Sequence, residues 1–499
     1  MKKTLKFIAG TIFIVLIISI LTLIIGVNIP IQNFNQSSEN ISDLYLKNCN
    51  IVDITNGKIV KNQHITIQNG RIIKIDSTEE NLKGFKIIDT KGKFVMPTLW
   101  DMHLHTLSLS PQLHFPLLIA NGITNIRDMG DGDSWASDID APLKKDKDIW
   151  ENNKDLLKPN IWESCSYHVE EIEGISSENQ KIKLAELVTK LKIRKEPFIK
   201  VQLEDSELAK EVFYEFQKEA KRQNINIVGH LSYNVEIDSV LKNGYRSIEH
   251  AWALIPHFVQ KKKRFEKDLE TKSYELANQD SLLTISVLRK IAQSNAFYVP
   301  THVSSNRKEI MVFDKKFTQN ANNQYVESLQ LGLWGLWRKL HTSGYDKPKQ
   351  QDILRKYYQK GLEITGFAHK NGVQLLAGTD ALDRYSYHGF SLHDELIEMT
   401  KAGLSNAEAL KTATINAANY YNKTADYGSI EVGKVADLLI LNKNPLVDIE
   451  NTTSIESIYF NQKLYEKPTL EAMKKYVHEQ AKSFSISCKF IWNMMKGAF

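Results

Sequence analysis

The sequence predicts an α/β protein: a (β/α)8 TIM barrel carrying a small β-sandwich built from both chain ends, behind an N-terminal transmembrane helix. Three observations predict it. An uncharged apolar run opens the chain, β-rich runs broken by Asn-Gly follow it and return after residue 428, and about eight short apolar runs alternate with helical stretches in between.

Residues 1–27 form the anchor. FIAGTIFIVLIISILTLIIGV, from Phe7 to Val27, carries no charge, and at about 1.5 Å per residue such a helix spans the ~30 Å apolar core of a bilayer. Lys2, Lys3 and Lys6 precede it, so the positive-inside rule puts the body outside the cytoplasm, in a periplasmic or extracellular space. Ile24–Pro30 offers no small-x-small cleavage site, which favours a retained anchor over a cleaved signal peptide and a secreted chain. Residues 28–43, polar and aperiodic, form a linker.

In 44–93 the runs LYLKNCNIVDI, HITIQ and RIIKID turn at Asn56-Gly57 and Asn69-Gly70, as antiparallel hairpins do. Residues 428–466, with GSIEVGKVADLLILNKNPL and SIESIYFNQKLY, complete the same sandwich. The barrel occupies 94–427, its runs being KFVMPTLW, ITNIRDM, NIWESCS, PFIKVQL, INIVGHLS, YRSIEHA, FYVPTHV and VQLLAGTD. Helices fill the gaps; in 204–223, Leu208, Val212, Phe213 and Phe216 recur at helical spacing. Two gaps, 256–295 and 303–372, are longer than one helix needs and follow strand ends, so they are expected to form pocket walls or lids. Within the second, Trp334, Trp337 and Leu340 read as a core stripe. Residues 467–499 are a helical tail whose last stretch, FSISCKFIWNMMKGAF, suits contact with either the membrane or the body.

Composition excludes several functions. The 499 residues are 42% hydrophobic and 25% charged, and once the three leading lysines are set aside 61 basic residues face 59 acidic ones. That balance gives no nucleic-acid footprint. Cys49, Cys165 and Cys488 form no Cys-x-x-Cys, which leaves His, carboxylate or modified Lys as metal ligands. No Gly-x-Ser-x-Gly elbow occurs, and Gly428–Lys434 has phosphate-loop spacing but Val435 where a Ser or Thr is required.

Asp101-Met102-His103-Leu104-His105 ends the first barrel run. Alternation along a strand puts His103 and His105 on one face, where they can hold one metal ion or form a buried hydrogen-bonded pair. His230, His250 and Asp380 end the fifth, sixth and eighth runs, at the carboxyl ends where barrel chemistry resides; Asp380 also suits a helix N-cap. Lys200 stands in the otherwise apolar strand of the fourth run. A buried ammonium needs a partner, so it either pairs with Glu204, Asp205 or Asp101, or is deprotonated and carboxylated by CO2 to a metal-bridging carbamate.

The ordered set His103-x-His105, Lys200, His230, His250 and Asp380 resembles the binuclear-metal amidohydrolase superfamily, over about residues 44–465. VMPTLWDMHLH is similar to its opening motif, with Thr98 and Trp100 in place of smaller residues, and HGFSLHDELIEMTKAGLSNAEAL resembles the imidazolonepropionase-like and prolidase-like branch. The resemblance implies that His103, His105 and Asp380 hold one divalent ion, His230 and His250 a second, and carboxylated Lys200 bridges them with a hydroxide. Zinc leads, with manganese, iron or cobalt fitting the same ligands. Asp380 would be the catalytic acid/base. The implied activity is cleavage of C–N bonds in dipeptides or N-acyl amino acids; a lactonase or cyclic-amide hydrolase, a mononuclear deaminase and an inactive tethered module are the alternatives. His168, Tyr233, His302 and His388 are candidate substrate contacts. Expected partners are a small molecule or short peptide and the membrane, with homo-oligomerisation left open and nucleic acid excluded.

Overall fold

A computed structural model describes residues 2–35, 39–131, 146–165, 168–169, 177–201, 207–311, 313–342, 344–345 and 347–497. The chain opens with the helix Lys2–Asn28. Its segment Thr11–Asn28, with a mean hydropathy of 2.7, is almost wholly exposed and is long and apolar enough to cross a membrane, as signal anchors and signal peptides both are.

The two β-rich blocks meet in one eight-stranded sheet. Asp43–Asp53 pairs antiparallel with Lys58–Gln68, which turns through Asn69 and Gly70 into Arg71–Asp76. Both turn residues have positive φ, 50° and 72°, the geometry that makes Asn-Gly the favoured two-residue hairpin turn. The C-terminal block joins through Leu438–Leu441, antiparallel to Phe94–Pro97. Instead of two stacked sheets, the first strand is shared: its start pairs with Lys86–Asp89 and its end with Phe94–Pro97. Ile65, Ile67, Leu438 and Ile440, from distant strands, therefore pack in one apolar cluster.

The remaining strands are parallel. Leu99–Thr106, Ile123–Asp131 and Asn160–Ser164 form one sheet; His168–Val169, Phe198–Val201, Asn226–Gly229, Tyr245–Glu249, Phe297–Val299 and Gln374–Leu375 form another. Met102 N donates to Ala377 O at 2.9 Å, and Leu104 bridges Ala381 in parallel sense, so the first and last of these strands run side by side. Parallel neighbours require crossovers, and Glu207–Arg222 is one, with Phe213 and Phe216 buried against the core.

Glycines set two of the closest approaches. A Cβ on Gly229 (φ 129°) would lie 2.3 Å from Val201 O, and one on Gly378 2.6 Å from His103 Cβ. Only hydrogen fits there. Trp100, buried at a position where the resemblance implies a smaller aliphatic residue, packs its indole 4.9 Å from that of Trp162. Trp334 is buried as a core residue, but Leu340 is 63% exposed, so the expected core stripe ends before it.

Candidate metal centre

Strand alternation brings His103 and His105 forward together, and the end of the last parallel strand supplies their carboxylate. Thr379 N and Asp380 N both donate to His103 O, at 2.9 and 2.6 Å. Asp101, buried behind, accepts from Thr379 Oγ1 at 2.6 Å; burial pushes its carboxyl up to about 7. Asp380 Oδ1 thereby lies 3.3 Å from both His103 Nε2 and His105 Nε2. Both His250 and Asp380 hold positive φ, 71° and 54°, a conformation costing about 1–3 kcal/mol that clusters at functional sites.

His250 joins from the sixth run. Its Nδ1 lies 3.9 Å from Asp380 Oδ2 and 2.8 Å from Thr301 Oγ1. Ligand atoms of His103, His250 and Asp380 all fall within 4.8 Å of one another, so His250 neighbours the His103 side of the site as well as His230, whose ring is 4.6 Å from its own. Lys200 is buried, with Nζ 3.3 Å from His105 Nε2. Among the described residues it makes no ion pair with Asp101, and Glu204 and Asp205 lie outside them. The six expected residues thus converge at one site, five of them lining a cavity of about 630 Å³.

The donor set fits divalent ions. His103 Nε2 is a buried ring nitrogen with no hydrogen-bond partner, an arrangement that is costly unless something else takes its lone pair. Burial lowers the pKa of His105, His230 and His250, leaving neutral imidazoles, the form that binds metal. Burial likewise depresses Lys200, favouring the free amine. Asp380 moves the other way: burial opposes its charge, but the surrounding imidazoles of His250, His103 and His105 hold it well below the usual carboxylate range.

Two residues outside the expected set organise the site. Glu249, fully buried, accepts from His103 Nδ1 at 2.6 Å and from Arg127 Nη2 at 2.9 Å. Burial opposes its ionisation, yet Arg127 and His103 hold it down to about 2. Arg127 also donates to Met102 O at 2.6 Å, tying the carboxylate to the histidine strand. A positional signal was present: Ser247 and Glu249 alternate along a strand ending beside His250.

The candidate substrate contacts separate. His302 is buried, bonded through Nε2 to Thr365 Oγ1 and through Nδ1 to Asn306 Nδ2, both at 3.0 Å, and is absent from the cavity wall. His388 lies behind the wall, with Nε2 2.8 Å from His105 O and its ring stacked on His114. Tyr233 is also outside the wall, its carbonyl accepting from Lys262 Nζ. The side chain of His168 lies outside the described residues, although its backbone pairs with that of Lys200. Of the two inserts, 303–372 supplies Ser305, Lys308, Gln330, Leu333, Trp334 and Trp337 to the wall, and 256–295 supplies none of its residues.

Comparison with known proteins agrees with this fold. A bottromycin amidohydrolase structure is similar over 93% of this chain and 94% of its own, with 17% identity and a TM-score of 0.66. A Xaa-Pro dipeptidase with bound methionine in its active site is similar over 85% of this chain and 100% of its own, with 17% identity and a TM-score of 0.59. A dihydroorotase from Carboxydothermus hydrogenoformans is 42% identical over 62 residues, 12% of this chain and 14% of the dihydroorotase; the chain spans only about one seventh of the curated relatives it matches. The amidohydrolase family matches residues 94–477, most of the chain, and the protein is therefore a member of that family, with an α/β fold shared with its solved structures.

Proposed function

We propose that this enzyme hydrolyses amide bonds of dipeptides or N-acyl amino acids at a two-metal centre, outside the cytoplasm, on a body held at the membrane by its N-terminal helix. The observation that carries this reading is the buried, unpartnered Nε2 of His103 facing Asp380 among three neutral imidazoles and a depressed lysine. The parallel strands are read as a (β/α)8 barrel over 94–427, flanked by the two segments of the shared sheet, 44–93 and 428–466, with an anchor 1–27, a linker 28–43 and a tail 467–499.

His103, His105 and Asp380 would hold one ion, His230 and His250 the other, with N-carboxylated Lys200 between them; zinc suits the nitrogen and oxygen donors, and manganese, iron or cobalt would serve. Bound there, the ions would supply an acidified water and a positive charge for the scissile carbonyl. Asp380 accepts a proton from the attacking water and returns it to the leaving amine, within 3.3 Å of two imidazoles that fix its carboxylate. Glu249 keeps the His103 proton on Nδ1, so that Nε2 presents its lone pair.

A second reading rests on the compactness of His103, His250 and Asp380: a mononuclear site of the kind used for deamination. Metal analysis with activity separates the two. About two ions per chain, with His103→Ala abolishing amide hydrolysis, is expected. One ion per chain with ammonia release from a heterocyclic base would overturn the two-metal reading.

A further inference from the structure

Much of the apolar lining of the cavity that holds the metal-ligand candidates comes from two helices. Leu333, Trp334 and Trp337 belong to Ser328–Thr342, Phe490 and Met494 to Phe484–Gly497. The first helix carries Leu329, Leu333, Leu336 and Leu340 at intervals of four, three and four residues, all exposed, a stripe that water does not favour. The second exposes Phe484, Ile491, Met494 and Met495. Ser487 Oγ donates to Glu327 Oε1 at 2.6 Å, holding the start of one helix against the other.

This apolar rim adjoins the membrane helix. A Cβ on Gly26 would lie 2.3 Å from Cys488 Sγ, and Lys489 Nζ donates to Val27 O. Met494 is six residues beyond Cys488, ~9 Å along a helix. The cavity thus opens beside the point where the apolar run Thr11–Asn28 ends. Within the same cavity Lys308 places Nζ 4.9 Å from the Trp252 ring centroid. The acids that act on it are engaged with other cations: Glu309 with Lys272 at 3.4 Å, Asp268 with Lys272, and Asp383 with Arg384 at 2.8 Å.

We propose that the substrate is an amphiphilic N-acyl amino acid taken from the bilayer surface, its acyl chain lying on Leu333, Trp337, Phe490 and Met494 and its carboxylate on Lys308. This rests on the amide-hydrolase reading and narrows it. The bilayer supplies the occupant, because the helix that gives Phe490 and Met494 to the cavity also packs, at Cys488 and Lys489, on the end of the membrane helix. In the reaction, water oxygen bonds to the acyl carbon and the C–N bond breaks. The water's protons pass to the amine, giving a fatty carboxylate and a free amino acid.

The test uses the full chain in phosphatidylcholine vesicles, first stripped of metal so that binding is read without turnover. Calorimetric titration with N-acetylglycine and N-dodecanoylglycine is expected to show the longer ligand binding at least ~100-fold more tightly, since each buried methylene adds a severalfold factor. Lipid partitioning alone also favours the longer ligand, so native and variant proteins are compared in the same vesicles. Leu333→Asp combined with Met494→Asp, both at exposed positions, should lower that preference at least tenfold, and Lys308→Gln should weaken both ligands. A chain-length preference indifferent to the double variant would overturn the proposal. Turnover by the zinc-loaded protein is scored separately. Hydrolysis of both ligands with equal efficiency refutes the acyl-chain site and leaves the hydrolase reading intact. Variant-sensitive binding with no hydrolysis refutes the hydrolase reading and leaves the site.

Discussion

Replacing Glu249 by Gln tests whether the buried Arg127–Glu249–His103 chain sets metal affinity. The carboxylate accepts from His103 Nδ1 at 2.6 Å and from Arg127 Nη2 at 2.9 Å, with all three side chains fully buried. An amide cannot serve both donors with charge, and its NH2 facing Nδ1 would favour the tautomer with the proton on Nε2, where a metal needs a lone pair. Loss of such an outer partner typically weakens metal binding 10–100-fold, about 1.4–2.7 kcal/mol. Arg127 would be left as an uncompensated buried cation, at a further cost of about 3–5 kcal/mol in folding stability. Zinc content at buffered free zinc, read beside urea unfolding of metal-free protein, separates the two effects. Zinc affinity within a factor of about two of the parent, with unchanged unfolding, would refute the argument.

Two other outcomes are expected. Lys200→Ala should lower metal content and reduce activity by at least ~100-fold, since a bridging ligand matters more than an outer partner, with partial rescue by short carboxylates; full metal content and rate would exclude the carbamate. Burial pushes the Asp437 carboxyl up to about 7, so the folded protein keeps a proton that the unfolded chain loses near pH ~4. Stability should therefore fall as pH rises from about 4 to about 7 and level off above. Asp437→Asn should flatten that profile and raise the melting temperature at pH 8; superimposable melting profiles would contradict the assignment.

The parts of the fold legible in the sequence were those with local chemistry. Asn69-Gly70 announces its turn because both residues must take positive φ, and the uncharged run to Val27 announces its helix by composition. His103, His105, Lys200, His230, His250 and Asp380 were legible together because each ends or interrupts an apolar run. Glu249 and Arg127 were not, since their roles depend on strands far apart in sequence coming into register. His302 and His388 misled for a related reason: a histidine after a strand end is equally suited to the packing roles they fill here. The single shared sheet was hidden because one strand, Asp43–Asp53, changes partners midway.

The two hydrogen-only contacts have a consequence for the proposed metal centre. Gly229 seats the strand bearing His230 directly on the backbone of Val201, one residue from Lys200, and Gly378 seats the Asp380 turn directly on His103. The spacing of the candidate ligands is thus held by main chain pressed on main chain at Gly229, and on the Cβ and backbone of His103 at Gly378, not by long side chains that could adjust. If the site holds ions as proposed, such a frame should reload after chelation without refolding, and a bulkier ion would have to distort it to enter.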